Sequence, residues 1–306
     1  MQINIQRLRM SSMNPIISFL KVQNVLLVLV SMLFIFPIMA QQPIRSMYII
    51  ETELAIICGE NSKPYTERVR LIHRLPSNLA PEQLERCRAF LESPLAGQPL
   101  PDLEFNGLKN ELVFALLRQR EGLTELAELL VRMSRATETD ATWRDYCVQF
   151  LGKCYPRIHD AKSREAMAEA LRDALKTKRG GRAAGSAARQ LMTLGRTFPE
   201  FPPEKVAATS LDALLDPASS DETRTALLQV CGTLGERGAL PTARAIAGQN
   251  SAPVLRASAI AAVGMLGDAS DLPLLKRLAA SGDVRVSRPA KAAIERMRNA
   301  VKESSK

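Results

Sequence analysis

Few side chains in this sequence have the types and spacing that chemistry needs. Five cysteines and two histidines are its whole stock of thiols and imidazoles. Thiols at C-x-x-C spacing would point to redox exchange or a zinc site, and no such pair occurs. Cys147 and Cys154 stand seven residues apart on one expected helix. That is about 10.5 Å by helical rise, beyond the roughly 7 Å that a disulfide spans. Cys58 and Cys87 fall on different early helices, so a disulfide between them stays open. Five is odd, so at least one thiol is unbridged within the chain. His73 sits among Leu71, Ile72 and Leu75, the setting of a half-buried or helix-end imidazole. No second histidine stands at ligand spacing from it or from His159, and no metal or cofactor is expected.

A nucleophile has as little support. Ser186, in Ala184-Gly185-Ser186-Ala187, lies inside an expected helix and not on a strand-to-helix elbow. Arg179-Gly180-Gly181-Arg182 has neither the spacing of a phosphate loop nor a strand before it. The densest charge is basic: Lys176, Lys178, Arg179, Arg182 and Arg189 begin at one helix end and cross the turn to the next. Cations suit a helix C-terminus. The same cluster would also meet an acidic protein, a glycan or an anionic membrane surface. Nucleic acid fits poorly, because no aromatic residue stands nearby to stack on a base. No small-molecule substrate is evident.

The elements that must position these residues are helices. Hydrophobic residues make up 46 % of the chain and charged residues 24 %, an ordinary folded composition. Only 5 % is aromatic, and Ala, Leu and Val supply most of the apolar content, which suits close helix packing better than paired sheets. Met47, Ile50, Leu54 and Ile57 keep helical spacing, with Gly59 as a stop. Pro64 and Pro81 open two further helices, and Pro94, Gly97, Pro99 and Pro101 mark a loop over 93–105. Helices are then predicted over 110–120, 123–133, 142–154, 163–176, 182–194, 203–215, 221–234, 241–247, 254–266, 272–280 and 286–301. Gly195, Gly235 and Gly267 each follow a first helix, where a positive φ would end it.

A repeat sets the register of this array. Thr225–Gly235 overlays Ala257–Gly267 at an offset of 32 residues, with Arg224 on Arg256 and Pro241 on Pro273. Steps of 40 residues carry Leu227, Cys231 and Leu234 to Ala187, Leu191 and Leu194, then to Cys147, Leu151 and Cys154. A further step of 31 takes Ala259, Ala262 and Val263 to Ala290, Ala293 and Ile294. A fixed period of this size with helical spacing inside it is the signature of a helical solenoid. It makes Cys147, Cys154 and Cys231 packing residues. It also predicts that Leu234→Ala costs on the order of 3 kcal/mol.

Val254-Leu255-Arg256-Ala257-Ser258-Ala259, running into Ala262-Val263-Gly264-Met265-Leu266-Gly267-Asp268 and Leu272-Pro273-Leu274-Leu275, resembles a HEAT repeat. The likeness is good over 221–297 and extends from Trp143. It implies an all-α, right-handed α-solenoid of armadillo-like hairpins, about six to seven helix pairs, whose second helices line a concave, protein-binding face. Arg244 and Lys276 share the 32-residue register on successive second helices, and with Arg132 and Arg172 they would form a basic ladder there. One enzyme group built on such repeats, the deoxyhypusine hydroxylases, holds di-iron through repeated His-Glu pairs, and no such pair stands here. HEAT-like subunits that attach chromophores to phycobiliproteins give an alternative, accessory or lyase-type reading.

Val25 to Ala40 contains no charge, follows Arg7, Arg9 and Lys21, and ends on Pro37 and Ile38-Met39-Ala40. That is the layout of a secretory signal peptide, with Met10 and Met13 as alternative starts and an uncleaved anchor as the other reading. Setting those three cations aside takes the net charge from +9 to about +6, which favours acidic partners. The expected organisation is a signal over 1–40, a helical group over 41–105, the repeat array over 106–302 and a charged tail over 303–306. The expected function is a non-enzymatic scaffold, periplasmic or secreted, that binds a protein partner.

Overall fold

The computed structural model describes residues 42–59, 63–97, 100–176 and 182–304. The signal segment expected over 1–40 lies outside these residues, as do Lys178 and Arg179. Among the described residues there are fourteen α-helices and no strand. No described helix is long and apolar enough to cross a membrane. The described residues divide into two units at Ile56/Ile57. The first holds α1 (Gln42–Ile57) up to its last residue, with Met47, Tyr48 and Ile49 exposed to solvent.

In the second unit the helices alternate between two layers. The first layer holds α2 (Tyr65–Arg74), α4 (Asp102–Leu117), α6 (Ala141–Cys154), α8 (Arg182–Leu194), α10 (Asp221–Leu234), α12 (Pro253–Leu266) and α14 (Val284–Ser304). The second holds α3 (Pro81–Glu92), α5 (Leu123–Arg135), α7 (Ala161–Lys176), α9 (Pro203–Leu215), α11 (Leu240–Gly248) and α13 (Leu272–Ala279). Each first-layer helix packs on the next in its layer, and each second-layer helix packs on the first-layer helix that follows it. The result is six helix pairs and a closing helix: an all-α solenoid.

Sequence dictates how closely the first layer can pack. Gly185 on α8, Gly232 on α10 and Gly264 on α12 each face the next helix. A Cβ at Gly264 would lie 2.5 Å from the Ala293 Cβ on α14, and one at Gly185 2.8 Å from the Ala226 Cβ. Glycine is what lets these axes approach. The helix ends divide into two kinds. Gly235 takes φ +76 and ends α10, with Glu236 N–H donating to the Cys231 carbonyl at 2.9 Å. Gly195 and Gly267 do not take the expected positive φ. Gly267 is extended (φ −78, ψ −179), and a Cβ there would lie 2.3 Å from the Asp271 carboxylate. At Gly195 a Cβ would meet the Phe201 carbonyl at 2.5 Å. Both are glycines because something packs on them.

Two other expectations change. The loop over 93–105 is shorter, because Asp102 already begins α4, eight residues before the helix predicted at 110. Pro101 occupies the N-cap position, and Asp102 and Glu104 lie in the first turn, where carboxylates complement the helix dipole. With α2, α4 and α6 in one continuous layer, the expected boundary at 105/106 falls inside a helix. Leu234 is only half-buried, whereas Leu227 and Leu228 are fully buried, so Leu227→Ala reports on the register better than Leu234→Ala.

Candidate functional site

The thiols are packing residues. Cys147, Cys154 and Cys231 are fully buried. Burial pushes the Cys154 and Cys231 thiols up to about 12, and the Cys147 thiol higher still, so none is a thiolate near neutral pH. Cys58 and Cys87 are not joined in a disulfide. Arg68 serves that corner instead: its guanidinium donates to the Ile57 carbonyl at 3.0 and 2.5 Å and lies over the Phe90 ring of α3. His73 is exposed at the end of α2 and bonds Glu111 at 2.8 Å. Among the described residues no three His, Cys, Asp or Glu side chains converge as a metal site.

The basic ladder is met by carboxylates. Arg132, Arg172, Arg244 and Lys276 do lie on second-layer helices, α5, α7, α11 and α13. Arg132, however, pairs with Glu92 on α3, and Arg172 with Glu165 two turns back along its own helix at 3.1 Å. Arg244 makes a two-pronged pair with Asp271, at 2.6 and 2.8 Å. The Asp271 side chain is 4 % exposed and also accepts from the Asp268 N–H at 3.1 Å. Lys276 is exposed and has no carboxylate partner among the described residues. Arg182 lies in the first layer, 3.4 Å from Glu222, away from the others. The four therefore form no single electropositive surface.

What the structure does bring together is Arg172 and Lys176 on α7 with Lys205 on α9. Between these helices the second layer opens into a groove. Its first part, about 470 Å³, has Arg172, Lys176, Lys205 and Thr209 on its walls over Leu175, Leu191, Phe201 and Val206. The second part, about 750 Å³, shares Leu175, Lys176 and Thr209 and adds Asp212, Ala213, Leu215 and Asp216.

The eight residues between α8 and α9 build one end of the groove. Glu200 in that segment accepts from the Tyr155 hydroxyl and from Arg164, each at 2.7 Å. The Arg164 guanidinium lies 4.9 Å from the Tyr155 ring centre and 5.1 Å from that of Phe198. Tyr155 in turn meets Phe198 and Phe201 edge-on at 5.2 and 5.0 Å. Backbone and Tyr155 hydrogen bonds hold the Glu200 carboxyl below its usual range, and burial pushes the Tyr155 hydroxyl up. Arg172 lies over Phe201 at 5.6 Å and reaches the Glu200 carbonyl. The segment is thus pinned from α7 and from the turn before it, and it fixes where α9 starts.

The charges of Glu200 and Arg164 are met within this cluster, and that of Arg172 by Glu165. Lys176, Lys205 and Asp212 are not: all three are exposed and none has an ion-pair partner among the described residues. Sequence reasoning found Arg172 and Lys176 but missed Lys205 and Asp212. The available signal was their spacing of seven residues on one helix, just after the last aromatic residue of the chain, Phe201.

A two-layer stack of helix pairs with a side groove and no assembled catalytic cluster among the described residues defines a helical-repeat protein. The family model for HEAT repeats matches residues 207–295, and that stretch of the chain carries HEAT repeats. No curated protein matches it. Among solved structures, human deoxyhypusine hydroxylase in complex with glycerol is similar at 17 % identity, over 84 % of this chain and 99 % of that one, with a TM-score of 0.34.

Proposed function

We propose that this chain is an exported, non-enzymatic protein-interaction scaffold that seats its partner in the groove between α7 and α9. One observation carries the reading. The groove is open, floored by apolar side chains, and edged by Lys176, Lys205 and Asp212, which have no ion-pair partner among the described residues. Such a surface gains binding energy from apolar burial and orientation from its rim. No bond is made or broken. Export rests on the basic, apolar and small-residue order of residues 1–40.

Capture by the full chain, with and without Ala208→Trp, tests the docking site. Ala208 is exposed and lines the groove, so the indole fills it without entering the core. A captured protein that is lost with Ala208→Trp supports the site, and equal capture by both chains removes it. Sequencing the mature N-terminus tests export: a start at Gln41 is expected, and an intact Met1 in a soluble cytoplasmic fraction would contradict it.

A further inference from the structure

The groove is not uniformly charged. Arg172 and Lys205 line only its first part, Asp212 and Asp216 only its second, and Lys176 stands where the two meet. Arg172 is occupied by Glu165 and by the Phe201 ring, so the cations open to a ligand are Lys176 and Lys205. At the other end Asp216 accepts from the Ala218 N–H at 2.9 Å, and Asp212 is uncommitted. Lys205 and Asp212 lie two turns apart on α9, about 10 Å along its axis. Between and beside them the groove offers Leu175, Val206 and Leu215. Leu215 is 55 % exposed, a large apolar side chain left in water.

Resting on the docking reading above, we infer that the occupant is a peptide segment of a partner protein with a carboxylate at one end, a basic side chain at the other and apolar residues between. It lies along α9 with its carboxylate at Lys176 and Lys205 and its cation at Asp212 and Asp216. An extended chain covers 10 Å in about three residues, which sets the spacing of the two charges. The acidic end repels a nucleic-acid backbone, and Phe201 is too buried, at 2 % exposed, to stack on a base. An anionic lipid surface would meet the same repulsion. Charge complementarity, not affinity alone, is what this groove is built to read.

The test uses fluorescein-labelled peptides and the full chain, with anisotropy read at low salt so that screening does not hide the pairs. The probe carries Glu-Glu, a Leu-Ala-Leu centre and Lys-Lys; the control replaces the charged residues by Gln. The probe is expected to bind more tightly than the control. Lys176→Glu with Lys205→Glu is expected to weaken it about fivefold to tenfold, as is Asp212→Lys with Asp216→Lys. The fourfold variant should recover wild-type binding to within about twofold, because the peptide then docks end for end. That recovery excludes misfolding as the cause of the losses. Equal binding of probe and control, or no recovery in the fourfold variant, would overturn the inference. If Ala208→Trp abolishes capture of the cellular partner while both charge pairs leave it unchanged, the docking site stands and this inference falls.

Discussion

The stretches before and after Phe201 hold their helices together by different means. All of the chain's Phe, Tyr and Trp residues lie at or before Phe201. In the earlier stretch, large rings fill the core: Trp143, Tyr155, Phe105, Phe150 and Phe201 are among its largest fully buried side chains. Polar groups then tie one pair to the next. Gln119 accepts from the Leu79 N–H at 3.0 Å and donates to the Pro76 carbonyl at 2.7 Å, and Asn106 donates to Asp140 at 2.8 Å. In the later stretch the first layer closes through Gly232, Gly264, Ala262 and Ala293, and the second-layer helices shrink. α7 has 16 residues and α9 has 13, against 9 in α11 and 8 in α13. From α9 to α11 the helix goes from 13 residues to 9, which is 4 of the 8 residues by which the period drops between 40 and 32, and shorter connections account for the rest. At the junction of the two stretches α7 packs closely on α5 and only narrowly on α9, and the groove lies along that narrow contact.

The difference predicts opposite sensitivities. Removing volume should hurt the earlier stretch most. Phe201→Ala is expected to cost about 4 kcal/mol in urea unfolding, because the ring is buried against Tyr155 and Arg172. Adding volume should hurt the later one. Gly264→Leu is expected to cost about 3 kcal/mol, since the Ala293 backbone it meets cannot rotate away. A Gly264→Leu chain that melts like wild type would show that the later helices are loosely packed.

A smaller effect separates buried ties from surface ones. Arg244→Met leaves Asp271 buried without its cation and is expected to cost about 2 kcal/mol, discounted for the 39 % exposure of the arginine side chain. Arg132→Met breaks a pair exposed on both sides and should cost under about 0.5 kcal/mol. Equal losses would sink the distinction. Arg244→Glu is also a poor probe of recognition, because it sets two carboxylates together in a buried place.

The remaining effect is one of pH. Burial pulls the Lys109 ammonium down to about 8 from 10.5, although a 2.6 Å bond to the Ser93 carbonyl and the Phe105 and Trp143 rings favour its charge. Between those two values the unfolded chain keeps a proton that the native chain has released, so this group adds stability as pH rises. Above about 9 the buried Cys154 and Cys231 thiols act the other way, since the unfolded thiols ionise first. Lys109→Met isolates the lysine. It is expected to stabilise the chain by on the order of 1 kcal/mol at pH 7, with the gain fading by pH 10. A gain independent of pH would assign the effect to packing instead.

Helix positions were readable from the sequence because apolar spacing, proline starts and the repeat all agree. The bounds predicted for α8, α9 and α10 coincide with those observed. The start of α4 was hidden because Pro94, Gly97, Pro99 and Pro101 signal a loop and a helix start equally well. Gly195 and Gly267 read as stops, since a glycine chosen for φ and one chosen for contact look alike in one dimension. The basic ladder failed for a related reason. Register places Arg244 on a face, but Asp271, 27 residues on, decides whether its charge is available. The groove depends on how far apart α7 and α9 stand, which neither helix encodes alone.

The most direct measurement compares two positions on the second layer in cells. A photo-reactive benzoylphenylalanine at position 208, in the groove, is predicted to cross-link the partner protein, while the same residue at position 276 on α13 stays silent. Cross-linking from 276 with none from 208 would move the docking face off the junction between the two stretches and contradict the assignment.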